Sequence, residues 1–528
     1  MKFKKNLPLY LFLTAALGLR LAGLKLGLPS ETGGLTTLHP DESVTFYSLE
    51  RMKPGKLDFF PGDALNWGTF HLYSSGALLK SLQLAGVIKI GGREELKASL
   101  GEADKMYLAV RLLSVLYGVL SVLLLYLTGA LFLPRRAALV SALLMAVAQA
   151  PVMASFLVKT DSNMIFWALA AVYFSFRLLR EPSARNYLLA GFFSGLAFIT
   201  KYSAALFIFF PLAAHLSSAL KARAPLSGFK KVFLFACAGS AAFLLCNPYF
   251  LIRPGDEIGI ILGNVSKGAV SWKGLVSYKE YFLSVLPAAM GWALVPFALA
   301  GAARWLFSGR AEKRISAVFC VLFMAWAGST SGTYVLYTLP VLPFLFLAAG
   351  DLADSMLDRR FGKILVSAVL LQALLFTLYI KGNYLSAYTI KEADSWIREN
   401  LPADSALAIA KNDTWTPFVI RRHTGPFRIS EGAPSQAPIE EGVLGLSKTY
   451  RQADYVVMSE QEYSLMRAHP AQYPRGNEAL DDIFAGTREV KRFSRKLPAY
   501  MLPFNYQNMD NQVNFMNPDI LVLKVYKK

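Results

Sequence analysis

The sequence predicts an all-α polytopic membrane protein of about eleven transmembrane helices, followed by an external C-terminal α/β domain. Three observations carry this expectation. Of the 528 residues, 54% are hydrophobic and only 17% charged, where a soluble chain carries roughly 25% charged residues. The apolar residues gather in runs long enough to cross a bilayer core of roughly 30 Å. Cations recur between alternate runs, as expected where Lys and Arg are retained on the cytoplasmic side.

The apolar runs lie near 7–28, 106–132, 137–156, 162–180, 187–200, 203–219, 232–250, 281–307, 315–328, 333–350 and 364–382. The first follows Met1-Lys-Phe-Lys-Lys5. It is about 22 residues long with no small-residue cleavage site after it, so it reads as a helix rather than a secretory signal. The pair 187–200 and 203–219 is separated only by Lys201 and Tyr202. With Lys2, Lys4 and Lys5 inside, the alternate loops place Arg135 and Arg136; Arg177, Arg180 and Arg185; Lys221, Arg223, Lys230 and Lys231; Arg310, Lys313 and Arg314; and Arg359, Arg360 and Lys363 inside as well. The opposite turns carry Lys159 alone or Lys201 alone. An odd number of spans then puts the C-terminus outside. The expectation is an integral protein of the bacterial inner (cell) membrane, with a cytoplasmic N-terminus and a periplasmic or extracellular tail.

Three external segments are too long to be turns: about 29–105, about 251–280, and everything after 383. This divides the chain into a membrane domain, 1–383, which includes the first external loop 29–105, and an external α/β domain, 384–528. The tail opens on the amphipathic pattern Ile390-Lys-Glu-Ala-Asp-Ser-Trp-Ile397 and continues with β-type runs at 406–410, 454–458 and 519–525. Its aromatic-rich segment Tyr500 to Phe515 suits either a glycan or peptide groove or ordinary packing.

The net charge of +19 does not point to nucleic acid, because the basic residues sit between apolar spans rather than on a soluble face interleaved with aromatics. Cys237, Cys246 and Cys320 all lie in apolar runs. They have no spacing suited to a disulfide framework, zinc or an iron–sulfur cluster.

Carboxylates able to carry chemistry stand out on the external side. Leu38-His-Pro-Asp-Glu42 places Asp41 and Glu42 side by side in the first loop, and Val158-Lys-Thr-Asp-Ser162 puts Asp161 in the external turn between two helices. Asp41 and Glu42 are open to reading as a solvated turn set by Pro40, and Asp161 as a helix N-cap. Cations on the same side are Arg20, Arg111, Lys201 and, in Asn247-Pro-Tyr-Phe-Leu-Ile-Arg-Pro254, Arg253. A charge at a membrane depth calls for a partner. Each alone suits a structural role, and together they suit an anionic ligand.

The sequence resembles the GT-C glycosyltransferases of the dolichyl-phosphate-mannose protein mannosyltransferase and aminoarabinose transferase type. The landmarks, in the family's order, are Arg20; His39-Pro-Asp-Glu42; Arg111-Leu-Leu-Ser with Gly118-Val-Leu-Ser-Val-Leu-Leu-Leu-Tyr126; Lys159-Thr-Asp161; Gly191-Phe-Phe-Ser-Gly-Leu-Ala-Phe-Ile-Thr-Lys-Tyr202; and Leu339-Pro-Val-Leu-Pro-Phe344. The resemblance covers roughly residues 7–380. It implies transfer of a sugar from a polyprenyl-phosphate donor to a lipid, protein or glycan acceptor on the external face, among membrane lipids. It maps the catalytic acid onto Asp41, with Glu42 beside it, and a general base suits a reaction in which an acceptor hydroxyl loses its proton. The leaving group is already a phosphate anion, so cations rather than a second acid are needed there. Lys201, Arg111 and then Arg253 are assigned to that phosphate. Asp161 orients the acceptor, pairs with a lysine or helps hold a divalent cation; no cofactor is otherwise implied. His39, His71, Tyr202 and Tyr337 are taken as site-lining. Where the family often has a cation before the Tyr that precedes Leu-Pro-x-x-Pro, this chain has Leu336, leaving Tyr334 and Tyr337 as possible donors. The competing class is a transporter or flippase for an anionic polyprenyl lipid or glycolipid. It would carry hydropathy pseudo-repeats and interrupted helices in corresponding halves, neither of which the sequence shows.

Overall fold

The computed structural model describes residues 2–65, 67–221, 229–267, 275–329, 335–386, 388–468, 470–495 and 517–527. The chain divides into two compact units. One comprises Met1–Leu24, Asp41–Gly92 and Lys105–Leu378; the other comprises Lys25–Pro40, Arg93–Asp104 and Tyr379–Lys528. The first loop is thus shared: 41–92 belongs with the helices, and 25–40 and 93–104 belong with the tail.

In the helical unit, helical segments fall on every apolar run, but few are long. By length and composition, Leu100–Ala130, Tyr202–Lys221 and Arg360–Asn400 suffice to cross a membrane unaided. Two bent pairs, Arg135–Val147 with Gln149–Ser155 (57°) and Tyr278–Met290 with Leu294–Leu306 (106°), raise the number to five if each is one span. Among the described residues that is fewer than the about eleven that apolar runs alone suggest. The reason is local: Asp161–Leu178, for example, opens on Asp-Ser-Asn and ends near Arg177, which lowers its mean hydropathy.

The first bend has an identifiable cause. Ala148 is extended (ψ 144°), so the helix Arg135–Val147 stops and the helix Gln149–Ser155, with Pro151 in its first turn, starts again. Carbonyls at such a break lose their intrahelical donors. Arg20, fully buried in the helix Lys2–Leu21, supplies them. Its Nη1 donates to the Ala146 carbonyl (2.9 Å), Nη2 to Met145 (3.1 Å) and Nε to Ser155 Oγ (3.2 Å). Gly118 lies against this contact, where a Cβ would run into Ser155 Oγ. The Arg20 of the sequence motif is therefore a structural plug.

The helices Ala184–Thr200 and Phe229–Cys246 lie unusually close. A Cβ on Gly191 would strike the Phe235 carbonyl, and one on Gly195 the Gly239 carbonyl. Small residues permit this approach of two backbones, as in membrane helix pairs generally. The pairing sets the two helix ends, Thr200 and Cys246, beside the helix Thr69–Leu84: Gly68 abuts the Ile199 carbonyl, and Thr69 Oγ1 donates to the Cys246 carbonyl (2.6 Å).

In the other unit, the expected amphipathic helix is Thr389–Asn400. A five-stranded sheet of order β2-β1-β3-β5-β4 follows, with strands β1 (Ala406–Ile409), β2 (Arg428–Glu431), β3 (Tyr455–Ser459), β4 (Thr487–Phe493) and β5 (Ile520–Val525). β1 runs parallel to β2 and β3, while β5 is antiparallel to β3 and β4. Helices Ile439–Thr449 and Pro474–Ala485 cover it with Val443, Leu446, Leu480 and Ile483 against Val456, Met458, Leu521 and Leu523. The segment 500–515 lies outside the described residues.

One carboxyl of this unit makes stability depend on pH. Glu462 is buried, and its Oε2 accepts from the Ser459 N–H (2.6 Å). Burial, then the nearby charge of Asp413, pushes it up from 4.5 to about 8. The folded chain then holds a proton that the unfolded chain releases. The contribution of this carboxyl to stability is greatest below the ordinary carboxylate range and declines as pH rises towards about 8. Glu462→Gln keeps the acceptor and removes the titration. Melting of the full chain at pH 5 and pH 8 is expected to differ less in this variant than in the wild type; an equal difference would show that Glu462 does not titrate as argued.

Candidate functional site

Asp41 and Glu42 sit in the first turn of the helix Pro40–Arg51, so consecutive side chains point about 100° apart and meet different surroundings. Glu42 is fully buried. Its Oε1 and Oε2 receive Arg111 Nε (2.8 Å) and Nη2 (2.6 Å), and Oε1 also receives the Val158 N–H (2.8 Å). Arg111 Nη1 donates to the Leu24 carbonyl (2.7 Å). The two residues expected as a catalytic acid and a phosphate ligand thus form a buried, two-pronged ion pair. Asp41 instead stays part-exposed, its side chain 41% accessible, with Lys159 Nζ 2.9 Å from Oδ2.

Asp161 begins the helix Asp161–Leu178 but does not cap it. Its buried Oδ1 accepts from Lys201 Nζ (2.7 Å), while Oδ2 is buried without a hydrogen-bond partner. Lys201 and Lys159 both act on Asp161 electrostatically, and Asp41 opposes them. Two carboxylates and two ammonium groups therefore form one alternating quartet. Tyr337 belongs to it: Lys201 Nζ lies 5.6 Å from its ring centroid, and the charges of Asp161 and Asp41 both reach its hydroxyl. Tyr334 lies outside the described residues.

His71 joins the two acid-bearing helices. Buried on Thr69–Leu84, it has Nε2 3.2 Å from Thr45 Oγ1 and Nδ1 3.3 Å from Asn163 Nδ2. The amide nitrogen can only donate, so Nδ1 accepts and Nε2–H donates to Thr45. Burial pushes the imidazole down to about 4, against the pull of Asp161. His71 is thus a neutral strut between Thr45, one turn beyond Asp41, and Asn163, next but one to Asp161. Its link to both acids was not visible in the sequence, which placed it only as lining.

The other expected residues fall elsewhere. Arg253 joins an aromatic cluster, 5.3 Å over the Phe60 ring, which stacks on Tyr249. Tyr202 follows Lys201 directly, its hydroxyl buried without a partner. His39 is buried, its backbone exchanging hydrogen bonds with Thr37 Oγ1. Among the described residues no three His, Cys, Asp or Glu side chains converge as a metal-binding group.

Residues 100–251 match the family model described as dolichyl-phosphate-mannose-protein mannosyltransferase. The chain is similar to the archaeal oligosaccharyltransferase AglB of Archaeoglobus fulgidus, solved with an inhibitory peptide and a dolichol-phosphate. The TM-score is 0.52 at 15% identity, covering 94% of this chain and 74% of that one. It is equally similar to ArnT of Cupriavidus metallidurans bound to undecaprenyl phosphate, with a TM-score of 0.52 at 13% identity over 97% of each chain. The fold is that of the GT-C superfamily. No curated protein matches the chain at a significant level. The match to that family model runs from the helix bearing Arg111 to the short helix Tyr249–Ile252 after Asn247, and so includes Lys159, Asp161 and Lys201.

Proposed function

We propose that this GT-C chain is an integral-membrane glycosyltransferase that moves a sugar from a polyprenyl-phosphate donor to an acceptor hydroxyl on the external face, with Asp41 as general base. The observation that carries the reading is the quartet of Asp41, Lys159, Asp161 and Lys201 on a GT-C scaffold. Asp41 is the carboxylate of the set that solvent and substrate can reach. An acceptor hydroxyl hydrogen-bonded to it loses its proton as its oxygen attacks the anomeric carbon, and the bond to the lipid phosphate breaks. Lys201 meets the charge that develops on the leaving phosphate, and Arg253, packed over the Phe60 ring, stands apart from it. Arg111 has no part in this step, because its guanidinium is held by Glu42. The polyprenyl phosphates named for ArnT and AglB support the donor class. A divalent cation does not suit the quartet, since Asp41 and Asp161 each already hold an ammonium group. The protein resides in the bacterial inner membrane, with its tail domain in the periplasm.

The test uses full-length protein in nanodiscs, a panel of radiolabelled undecaprenyl-phosphate sugars and a crude envelope fraction as acceptor. Label is expected to pass from one donor to the acceptor fraction. Lipid movement between leaflets with no transfer of any label would instead identify a transporter.

A further inference from the structure

A second group of buried polar atoms lies beside the quartet and takes no part in it. Asn247, just beyond the helix Phe229–Cys246, and Glu257, in the helix Pro254–Lys267, are both fully buried. Asn247 Nδ2 donates to Glu257 Oε2 (3.0 Å). The other oxygen of each, Asn247 Oδ1 and Glu257 Oε1, is buried with no hydrogen-bond partner, and so is the hydroxyl of Tyr202. The charge of Glu257 reaches both Tyr202 and Tyr73. Burial raises the Glu257 carboxyl above its ordinary range, against the hydrogen bond from Asn247, and Asp256 adds to the rise.

The fold brings this group to the donor side of the site. Tyr202 is the neighbour of Lys201, and Gly68 and Thr69 fasten the ends of both glycine-paired helices, at Ile199 and Cys246, to the helix that carries His71. Two buried acceptors left without donors are costly in a dry interior. A phosphate offers only acceptors and an isoprenoid chain offers neither, whereas a sugar offers several O–H donors. One carboxylate among two neutral oxygens also falls short of a metal cluster, and none is found among the described residues.

We propose that Asn247 and Glu257, with Tyr202 at their edge, are the subsite that recognises hydroxyl groups of the transferred sugar, and so select the donor. Sugar O–H groups donate to Asn247 Oδ1 and Glu257 Oε1, while the linked phosphate lies towards Lys201. This inference rests on the glycosyltransferase reading and adds the contact that distinguishes a glycosylated lipid from the bare one.

The test measures binding to full-length protein in nanodiscs of undecaprenyl phosphate and of its mannosyl, glucosyl, galactosyl and 4-aminoarabinosyl forms, together with transfer. The variants are Glu257→Gln, Asn247→Leu and Tyr202→Phe, the last removing a single hydroxyl. For the sugar that the wild type transfers, Glu257→Gln and Asn247→Leu are expected to weaken binding of the glycosylated lipid at least tenfold and Tyr202→Phe severalfold. Affinity for bare undecaprenyl phosphate should stay within twofold, which also reports an intact fold. Wild-type transfer with unchanged glycolipid affinity in all three variants overturns the subsite and leaves the enzyme reading standing. Equal loss of affinity for bare and glycosylated lipid overturns it as well, since the residues would then be structural. Wild-type protein that binds the bare lipid as well as every glycosylated form, and transfers none, overturns both.

Discussion

Asp41→Asn is expected to lower the rate of sugar transfer by about 10²–10⁴-fold, the usual range for removing a positioned general base, while affinity for the lipid-linked donor changes little. The amide is nearly isosteric, and its oxygen can still accept from Lys159 across the 2.9 Å now occupied by the ion pair. Asp41 is part-exposed, and an ion pair open to solvent adds little to stability, so unfolding free energy should stay close to wild type. Single-turnover transfer from a radiolabelled donor, paired with equilibrium donor binding, separates the two effects. A variant that transfers at the wild-type rate would remove Asp41 from the chemistry. A variant that transfers slowly only because it no longer binds donor would reassign it to binding.

Its neighbour is expected to behave in the opposite way. Glu42→Gln or Arg111→Gln leaves a buried charge with a neutral partner, and breaking such a pair typically removes about 3–5 kcal/mol. Both side chains are buried, and the carboxylate also anchors the Val158 N–H, next to Lys159. The loss therefore falls on folding first and reaches activity through misplacement of the Pro40–Arg51 helix. Unfolding free energies of the full chain, measured by steric trapping for both single variants and the double variant, should show strong coupling, with the double variant far less destabilised than the sum. Additive losses would mean that the two residues act on separate parts of the fold.

This contrast marks what the sequence could and could not disclose. The His-Pro-Asp-Glu and Lys-Thr-Asp motifs are short and local, and the structure brings Asp41, Lys159, Asp161 and Lys201 together. Whether Glu42 or Asp41 faces the open side depends on Arg111, 69 positions away, and no local pattern encodes that. Arg111 and Arg20 looked like ligands because a membrane cation needs a partner; their partners prove to be a carboxylate and the carbonyls of a broken helix. In the tail, β1, β3 and β5 were legible as apolar runs with buried patterns. β2 and β4 were not: they are edge strands with mostly exposed residues, and β4 reads Thr-Arg-Glu-Val-Lys-Arg-Phe, the charged edge that discourages pairing with other chains. The helical runs were legible in place but not in length, because breaks fall inside them, at an extended Ala148 just before Pro151 and at Gly291 with its positive φ of 89°, where the apolar pattern runs on unbroken.

The Arg20 plug has a consequence for biogenesis. The first helix leaves the ribosome well over a hundred residues before the carbonyls of Met145 and Ala146 that will receive its guanidinium. Arg20 stands in the last turn of its helix, where an unpaired arginine costs less than the roughly 2.5–3.5 kcal/mol of a helix centre but still calls for a partner or for the headgroups. The nascent first helix therefore has reason to linger in the insertion machinery, or to hold Arg20 towards headgroups, until the broken pair Arg135–Ser155 arrives. Arg20→Leu should hasten release of the first helix into lipid and leave the later break without its donors, so that assembly fails at the second step rather than the first.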